Sequence, residues 1–395
     1  MRRTSIMDRL HGLGGAKWEV HAAAKALQTQ GRDVIELTIG EPDVPTPDAL
    51  VEIAVAAMRA GRTGYSDGQG EAGLRAALAE RYARRTGRPI GPDQVMCFPG
   101  TQSALFAAMA GMAENGDAVL VGDPMYATYE GVVRATGATM IPVPLRAERG
   151  FRMDAADLDA AATPDARAVL LTTPHNPTGA VLAADDVAAI GTVARERDLW
   201  ILSDEVYEDL IFDGGAFSSP LARADLADRT VVVSSISKSH AAPGFRSGWC
   251  IAPAPFVEAL LPVVEAMLFG NQPFIADMTE VAIRDGSKVA VDMRDRFAAR
   301  AARLAQRLAG EPRLRVHRPD AGMFVLIDVR GTGMDGTAYA HDLLHRGGVA
   351  VMPGASFGTA LDGWVRVALT AGDDSFDAGI DRMLHHARDM PVAAA

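Results

Sequence analysis

The sequence predicts an α/β protein: a large domain on a mostly parallel sheet, joined to a smaller α+β domain. Three observations predict it. At 395 residues the chain is too long for one ordinary core. Through its middle, short β-branched runs alternate with helical patterns, the mark of βαβ units. After about residue 285 that alternation gives way to a long Arg/Ala helical run and short strands.

The elements follow in order. Residues 1–45 are expected to pack on the second domain. Within 46–285 the strand-like runs are AVLVGDP at 118–124, ARAVLLTTPHNPTG at 166–179, LWILSDEVY at 199–207 and TVVVSSISK at 230–238. Each closes on polar or turn-forming residues, and helical patterns such as DDVAAIGTVARERD at 185–198 lie between them. In parallel sheets ligands bind beyond the carboxyl ends of the strands. His175, Asn176, Asp204, Tyr207 and Ser235 through Lys238 fall at those ends. The second domain, 286–395, opens with MRDRFAARAARLAQRLAG and continues with strands near 313–330 and 349–369. The final PVAAA reads as a loose end.

Charge and cysteine content exclude several classes. A formal net charge of −11 argues against nucleic-acid binding, which needs a basic stripe. Cys97 and Cys250 form neither a disulfide framework nor a metal-ligand spacing, which suits a reducing cytoplasm and leaves no metal site expected. The start MRRTSIMDRLHGLGG has no apolar run behind its charges, unlike a signal peptide. No stretch approaches the length of a membrane span. The lysines are Lys17, Lys25, Lys238 and Lys288; the other basic residues are arginine. Arginine cannot form a Schiff base at neutral pH, so a lysine in an unusual setting is informative. An arginine-favouring codon bias accounts for the scarcity equally well.

Five segments carry residues suited to chemistry. Lys238, in SSISKSHAAPGFRSGW, precedes Arg246 by eight residues, and a nearby arginine lowers an amine's pKa and binds anions. Alone, this segment fits a surface lysine equally well. Asp204 ends an apolar strand with Tyr207 three residues on. A carboxylate there can pair with a protonated ring nitrogen, although a helix-capping Asp fits better in isolation. Asn176 sits between two prolines in TTPHNPTG, a stiff turn that can hold one amide against a ligand or serve as plain connection. Gly100 and Thr101 precede a small-residue helix whose N-terminus suits a phosphate, or Thr101 is a plain cap. Arg366, in WVRVALT, lies among apolar residues. It calls for a carboxylate partner if buried and for nothing if exposed.

Together these segments resemble the class I aminotransferases of the fold-type I pyridoxal 5′-phosphate (PLP) family. IGEPDVPTP, YSDGQG, HNPTG, SDEVY, SISK with GFRSGW, GMFVLID and VRVAL occur in the family's order between about Trp18 and Leu369. The resemblance implies a large domain with a mostly parallel seven-stranded sheet between helices, and a smaller α+β domain from both chain ends. It implies PLP held by Lys238 as a Schiff base, with Lys238 then moving the substrate proton. Asp204 would pair with the ring nitrogen, Asn176 and Tyr207 with the ring oxygen, and Tyr126 with the ring face. Thr101, Gln102, Ser235 and Arg246 would hold the phosphate. Tyr65 matches the tyrosine that reaches the neighbouring subunit's cofactor, which implies a homodimer. Arg366 would clamp the substrate α-carboxylate beside the Gly40 backbone.

Within that family KWEVH, DPMYATYEGV, SDEVYEDLIFDG and MLFGNQPFI are similar to bacterial arginine–pyruvate aminotransferases. Pro243, in AAPGFR, departs from that branch, where Thr and Trp more often precede the arginine. A guanidino substrate calls for a carboxylate, and Glu19 or a residue of the partner subunit is the candidate; a solvated helix charge also explains Glu19. The alternatives are an aminotransferase for aspartate, aromatic or neutral amino acids, a same-fold PLP β-lyase or oxidase, and a non-catalytic sensor domain. The last would normally carry a DNA-binding module, for which the residues before Trp18 leave no room.

Overall fold

The computed structural model describes residues 3–390, so the expected loose end at 391–395 lies outside the described residues. β1 (Ile35–Leu37) belongs to a five-stranded sheet. β2 (Val95–Phe98), β3 (Ala118–Asp123), β4 (Thr139–Pro144), β5 (Ala166–Thr172), β6 (Trp200–Asp204), β7 (Thr230–Ser235) and β8 (Gly248–Ile251) form a seven-stranded one. The larger sheet runs β2-β8-β7-β6-β5-β3-β4, and β8 alone is antiparallel to its neighbours. β6 and β7 are buried almost throughout, because helices cover both faces; this is why their sequences read as continuous apolar runs.

Several strands are shorter than their apolar runs. β5 stops at Thr172, β6 at Asp204 and β7 at Ser235. Lys238 therefore stands not at a strand end but in the short helix Ile236–Ser239, where Ser235 Oγ accepts from the Ser237 amide at 3.3 Å. The pattern at 185–198 is the helix Ala184–Glu196, and the Arg/Ala run is the helix Lys288–Leu308. Ser287 caps the latter, its Oγ accepting from the Ala290 amide at 3.0 Å. β2 and β8 escape sequence reading because VMCF and GWCI are four-residue apolar runs without a period.

The smaller sheet adds β9 (Arg315–His317), β10 (Phe324–Asp328), β11 (Val349–Pro353) and β12 (Trp364–Ala368), in the order β1-β11-β12-β10-β9. β1 pairs parallel to β11, Ile35 opposite Val349, so the chain start and the chain end share one sheet. Val20 and Ala24 of the helix Glu19–Thr29 lie in the same core as Phe297 and Leu304. Register places Leu326 and Met352 on either side of Arg366, which fixes its backbone within the sheet. Among the described residues no helix is long and apolar enough to cross a membrane, and no group of three His, Cys, Asp or Glu residues could hold a metal ion.

Candidate active site

β5, β6 and β7 end side by side, and the residues that follow them turn toward one cavity of about 340 Å³. Ile39, Gly40 and Glu41 after β1, with Phe324 and Arg366 of the smaller sheet, line it from another side. The site therefore lies between the two sheets.

Lys238 Nζ donates to the Gly40 carbonyl at 2.7 Å. Burial, with Arg366 and Arg246 nearby, pulls its pKa down to about 8, against the opposing pull of Glu41 and Asp204. An amine so poised is partly neutral near physiological pH and can act as nucleophile or base. Asp204 is 4 % exposed; its Oδ2 accepts from Tyr129 OH at 2.9 Å and its Oδ1 from the Val206 amide at 3.2 Å. Burial pushes its carboxyl up to about 6, held there against those two hydrogen bonds. A cationic partner would stabilise its charged form.

Asn176 Nδ2 donates to Tyr207 OH at 3.3 Å, and its Oδ1 accepts from Arg366 Nη1 at 3.1 Å. Arg366 Nη2 donates to the Thr38 carbonyl at 2.7 Å, while its Nε is buried without a partner. The guanidinium has no carboxylate partner among the described residues, and burial lowers its pKa. A ligand carboxylate would supply the missing anion. A side chain at Gly40 would run into the Phe324 ring, so glycine keeps the backbone accessible here.

The helix Thr101–Ala110 points its first turn into the same cavity, where Thr101 and Gln102 lie beside Ser235 and Arg246. Gly100, at φ 85°, occupies the capping position expected of Thr101. A Cβ on Gly248 would sit 2.6 Å from Gly100 C and 2.7 Å from Thr101 N, so only glycine lets β8 approach this turn. Thr101 Oγ1 is buried and has no hydrogen-bond partner. Arg246 Nη1 donates to the Pro243 carbonyl at 2.7 Å, so the departing proline lies within the loop that holds this arginine.

The cavity thus brings together Gly40, Thr101, Gln102, Tyr126, Asn176, Asp204, Tyr207, Ser235, Lys238, Arg246 and Arg366. Two sequence candidates lie elsewhere. Glu19 is exposed and lines a separate cleft with Lys17 and His341, while its neighbour Trp18 lines the cavity. Trp18 ends the turn Ala16–Trp18 and Glu19 opens the helix Glu19–Thr29, so the two adjacent side chains belong to different elements and face different ways. Tyr65 is 91 % exposed, with its ring 5.8 Å from that of Phe269, and does not line the cavity of its own chain. Sequence reasoning missed Tyr129, Thr172 and Glu41. Tyr129 OH is 2.8 Å from Thr172 Oγ1 as well as bonded to Asp204. The two tyrosines three apart in DPMYATY were the available signal.

A family model described as "Aminotransferase class I and II" matches residues 32–381. The chain belongs to the class I and II aminotransferases. The aminotransferase is 40% identical to the arginine–pyruvate transaminase of Pseudomonas aeruginosa over 94% of each chain. It is 31% identical to an aspartate aminotransferase of Streptomyces avermitilis, again over 94% of each. Among solved structures it is similar to the aspartate aminotransferase of Thermus thermophilus with maleate, at TM-score 0.91 and 30% identity over 98% of this chain and 100% of that one. The aminotransferase has the fold-type I architecture that the sequence predicted.

Proposed function

We propose that this aminotransferase uses PLP and carries the α-amino group of an L-amino acid, arginine or another guanidino amino acid, to a 2-oxo acid such as pyruvate or 2-oxoglutarate, by ping-pong kinetics. What carries the reading is convergence in one cavity: an amine near neutrality, a buried carboxylate, and two arginines without carboxylate partners among the described residues.

The residues present fit the cofactor. The unpartnered Thr101 Oγ1, the helix start, Ser235 and Arg246 form a donor set for a phosphate. Asp204 would hold the ring nitrogen, Asn176 and Tyr207 the ring oxygen, Tyr126 the ring face and Lys238 the aldehyde carbon. When bound, PLP supplies an electron sink for charge left on the substrate α-carbon. Lys238, displaced by the substrate amine, carries the proton to and from that carbon. Arg366 and the Gly40 backbone hold the substrate carboxylate and so aim the α-hydrogen at Lys238.

Two observations favour a guanidino donor. One is the name of the Pseudomonas relative. The other is Glu41, which shares the cavity lining with Asp204 as its second carboxylate and is the exposed one of the two. Glu41 replaces Glu19 as the candidate partner. A dicarboxylate donor needs a further cation, and the basic residues in the lining, Lys238, Arg246 and Arg366, all have other roles. The test is a panel of amino donors against pyruvate and 2-oxoglutarate. Arginine should lead, and Glu41→Gln should raise its KM about fivefold, as for an exposed pair of ~1 kcal/mol, while leaving alanine unchanged. Equal effects on both donors would remove Glu41 from the account.

We also propose a homodimer in which Tyr65 reaches the neighbouring cavity; the exposed Tyr65–Phe269 pair supports it. The same reading divides the chain at about residues 45 and 285. It places the enzyme in the cytoplasm, where the buried, unpaired Cys97 and Cys250 suit a reducing environment.

A further inference from the structure

β3 ends on Asp123, and the residues after it lead to Tyr126, which lines the active-site cavity. Facing them are the turns Gly354–Phe357 and Thr359–Leu361, which join β11 to β12. This second segment carries Phe357, which is buried, with its ring centroid 4.3 Å from the Arg366 guanidinium carbon. Each segment thus brings one aromatic ring to the site, and the two segments extend different sheets.

The segments are tied at three points. The Met125 amide donates to the Phe357 carbonyl at 2.7 Å. Asp123 Oδ2 accepts from Thr359 Oγ1 at 2.9 Å, and its Oδ1 accepts from the Ala360 amide at 3.4 Å. Gly358, at φ 134°, lies between these points. A Cβ there would run into the Asp123 carboxylate, so glycine permits the approach. Burial pushes the Asp123 carboxyl up, opposed by hydrogen bonds from Thr359 and Ala360 rather than by an ion pair. Its part is that of an acceptor holding this loop.

We infer that Asp123 is a positioning residue for the reaction: by holding the Phe357 loop against the Tyr126 segment, it sets the plane of Arg366 relative to the cofactor face. The inference rests on the function proposed above, in which Tyr126 meets the cofactor ring and Arg366 the substrate carboxylate. The α-hydrogen reaches Lys238 only when those two contacts keep a fixed relation, and a misplacement of about 1 Å costs roughly a hundredfold in rate. Without the tie, Arg366 stays in its strand, registered by β10 and β11, and still binds a carboxylate. What falls is the share of bound substrate in reactive geometry. The effect therefore appears in the limiting rate rather than in half-saturation.

The test is the half-reaction of the PLP-loaded, full-length protein with L-arginine and with L-alanine, followed by bleaching of the cofactor band. Asp123→Ala should lower the limiting rate about tenfold for both donors and move half-saturation less than about threefold. The circular dichroism of the cofactor band, which reads the ring's place against Tyr126, should change with it. Asp123→Asn keeps an acceptor for Ala360 and can donate to Thr359, so it should recover to within about threefold of wild type. Thr359→Val should slow the reaction about threefold and serves if Asp123→Ala does not fold. Phe357→Leu, alone and combined with Asp123→Ala, should be slowed alike, because both changes act through one ring. Unchanged limiting rates in both Asp123→Ala and Thr359→Val, or a double variant slowed by the product of the single effects, would overturn the inference while leaving the proposed function standing. A wild type inert to both donors would instead remove that function, and this inference with it.

Discussion

Arg366 lies between the rings of Phe324 and Phe357, its guanidinium carbon 3.8 and 4.3 Å from their centroids. The rings fix its plane and exclude water, which strengthens any carboxylate contact made there. Arg366→Ala should raise KM for every α-amino acid alike and lower kcat/KM about a hundredfold. Steady-state kinetics on three chemically different donors check this. A second residue, His175, should weaken the fold in acid. His175 is buried, its Nδ1 2.8 Å from Thr178 Oγ1, and burial pulls its pKa down to about 4. The unfolded chain binds the proton near 6.5, so folding loses stability as pH falls from about 6.5 toward 4. The His175 contribution at pH 5 should be ~2 kcal/mol below that at pH 7.5. Urea midpoints of the protein and of His175→Gln at both pH values read the difference. At this scale the sequence was most legible where cavity residues sit in contiguous strings, as for Asn176, Asp204 and Lys238. Tyr129 and Glu41 were hidden because their place in the cavity arises only when separate segments meet.

The helix Thr101–Ala110 depends on its approach to β8 for its place at the cavity. Gly248→Ala would drive a methyl against Gly100 and the Thr101 amide. The expected cost is ~1–3 kcal/mol of stability, with PLP retention weakened more than tenfold as the helix start moves off the phosphate. Denaturant unfolding and cofactor titration measure the two effects. A stability loss without a change in retention would show that this helix start does not hold the phosphate. Strand identity was legible for β3, β5, β6 and β7, whose apolar runs are long and punctuated. Their ends were not, because a strand stops where its partner stops, which no single segment records. The extra turn at Ile236–Ser239, which carries Lys238, is the consequence that matters most for chemistry.

Across the molecule, the site needs both sheets: Lys238 and Asp204 come from one and Arg366 from the other. In the proposed dimer Tyr65, which does not line its own cavity, would extend that dependence to a second copy. The protein should sediment at twice its 41.7 kDa chain mass. Mixing inactive Lys238→Ala chains with impaired Tyr65→Ala chains should restore activity above either alone, because one site of each mixed dimer has both residues. No restoration would place Tyr65 outside catalysis. The resemblance implied a smaller domain from both chain ends, but the pairing of β1 with β11 was not read from the residues, since pairing between residues about three hundred apart leaves no local signature. The central claim is transamination at Lys238, and a single-turnover assay without any 2-oxo acid tests it most directly. PLP-loaded enzyme given excess L-arginine should convert about one equivalent per chain to the 2-oxo acid, release no ammonia, and stop until pyruvate is added. Continued turnover with ammonia release, or an undiminished first turnover in Lys238→Ala, would contradict it.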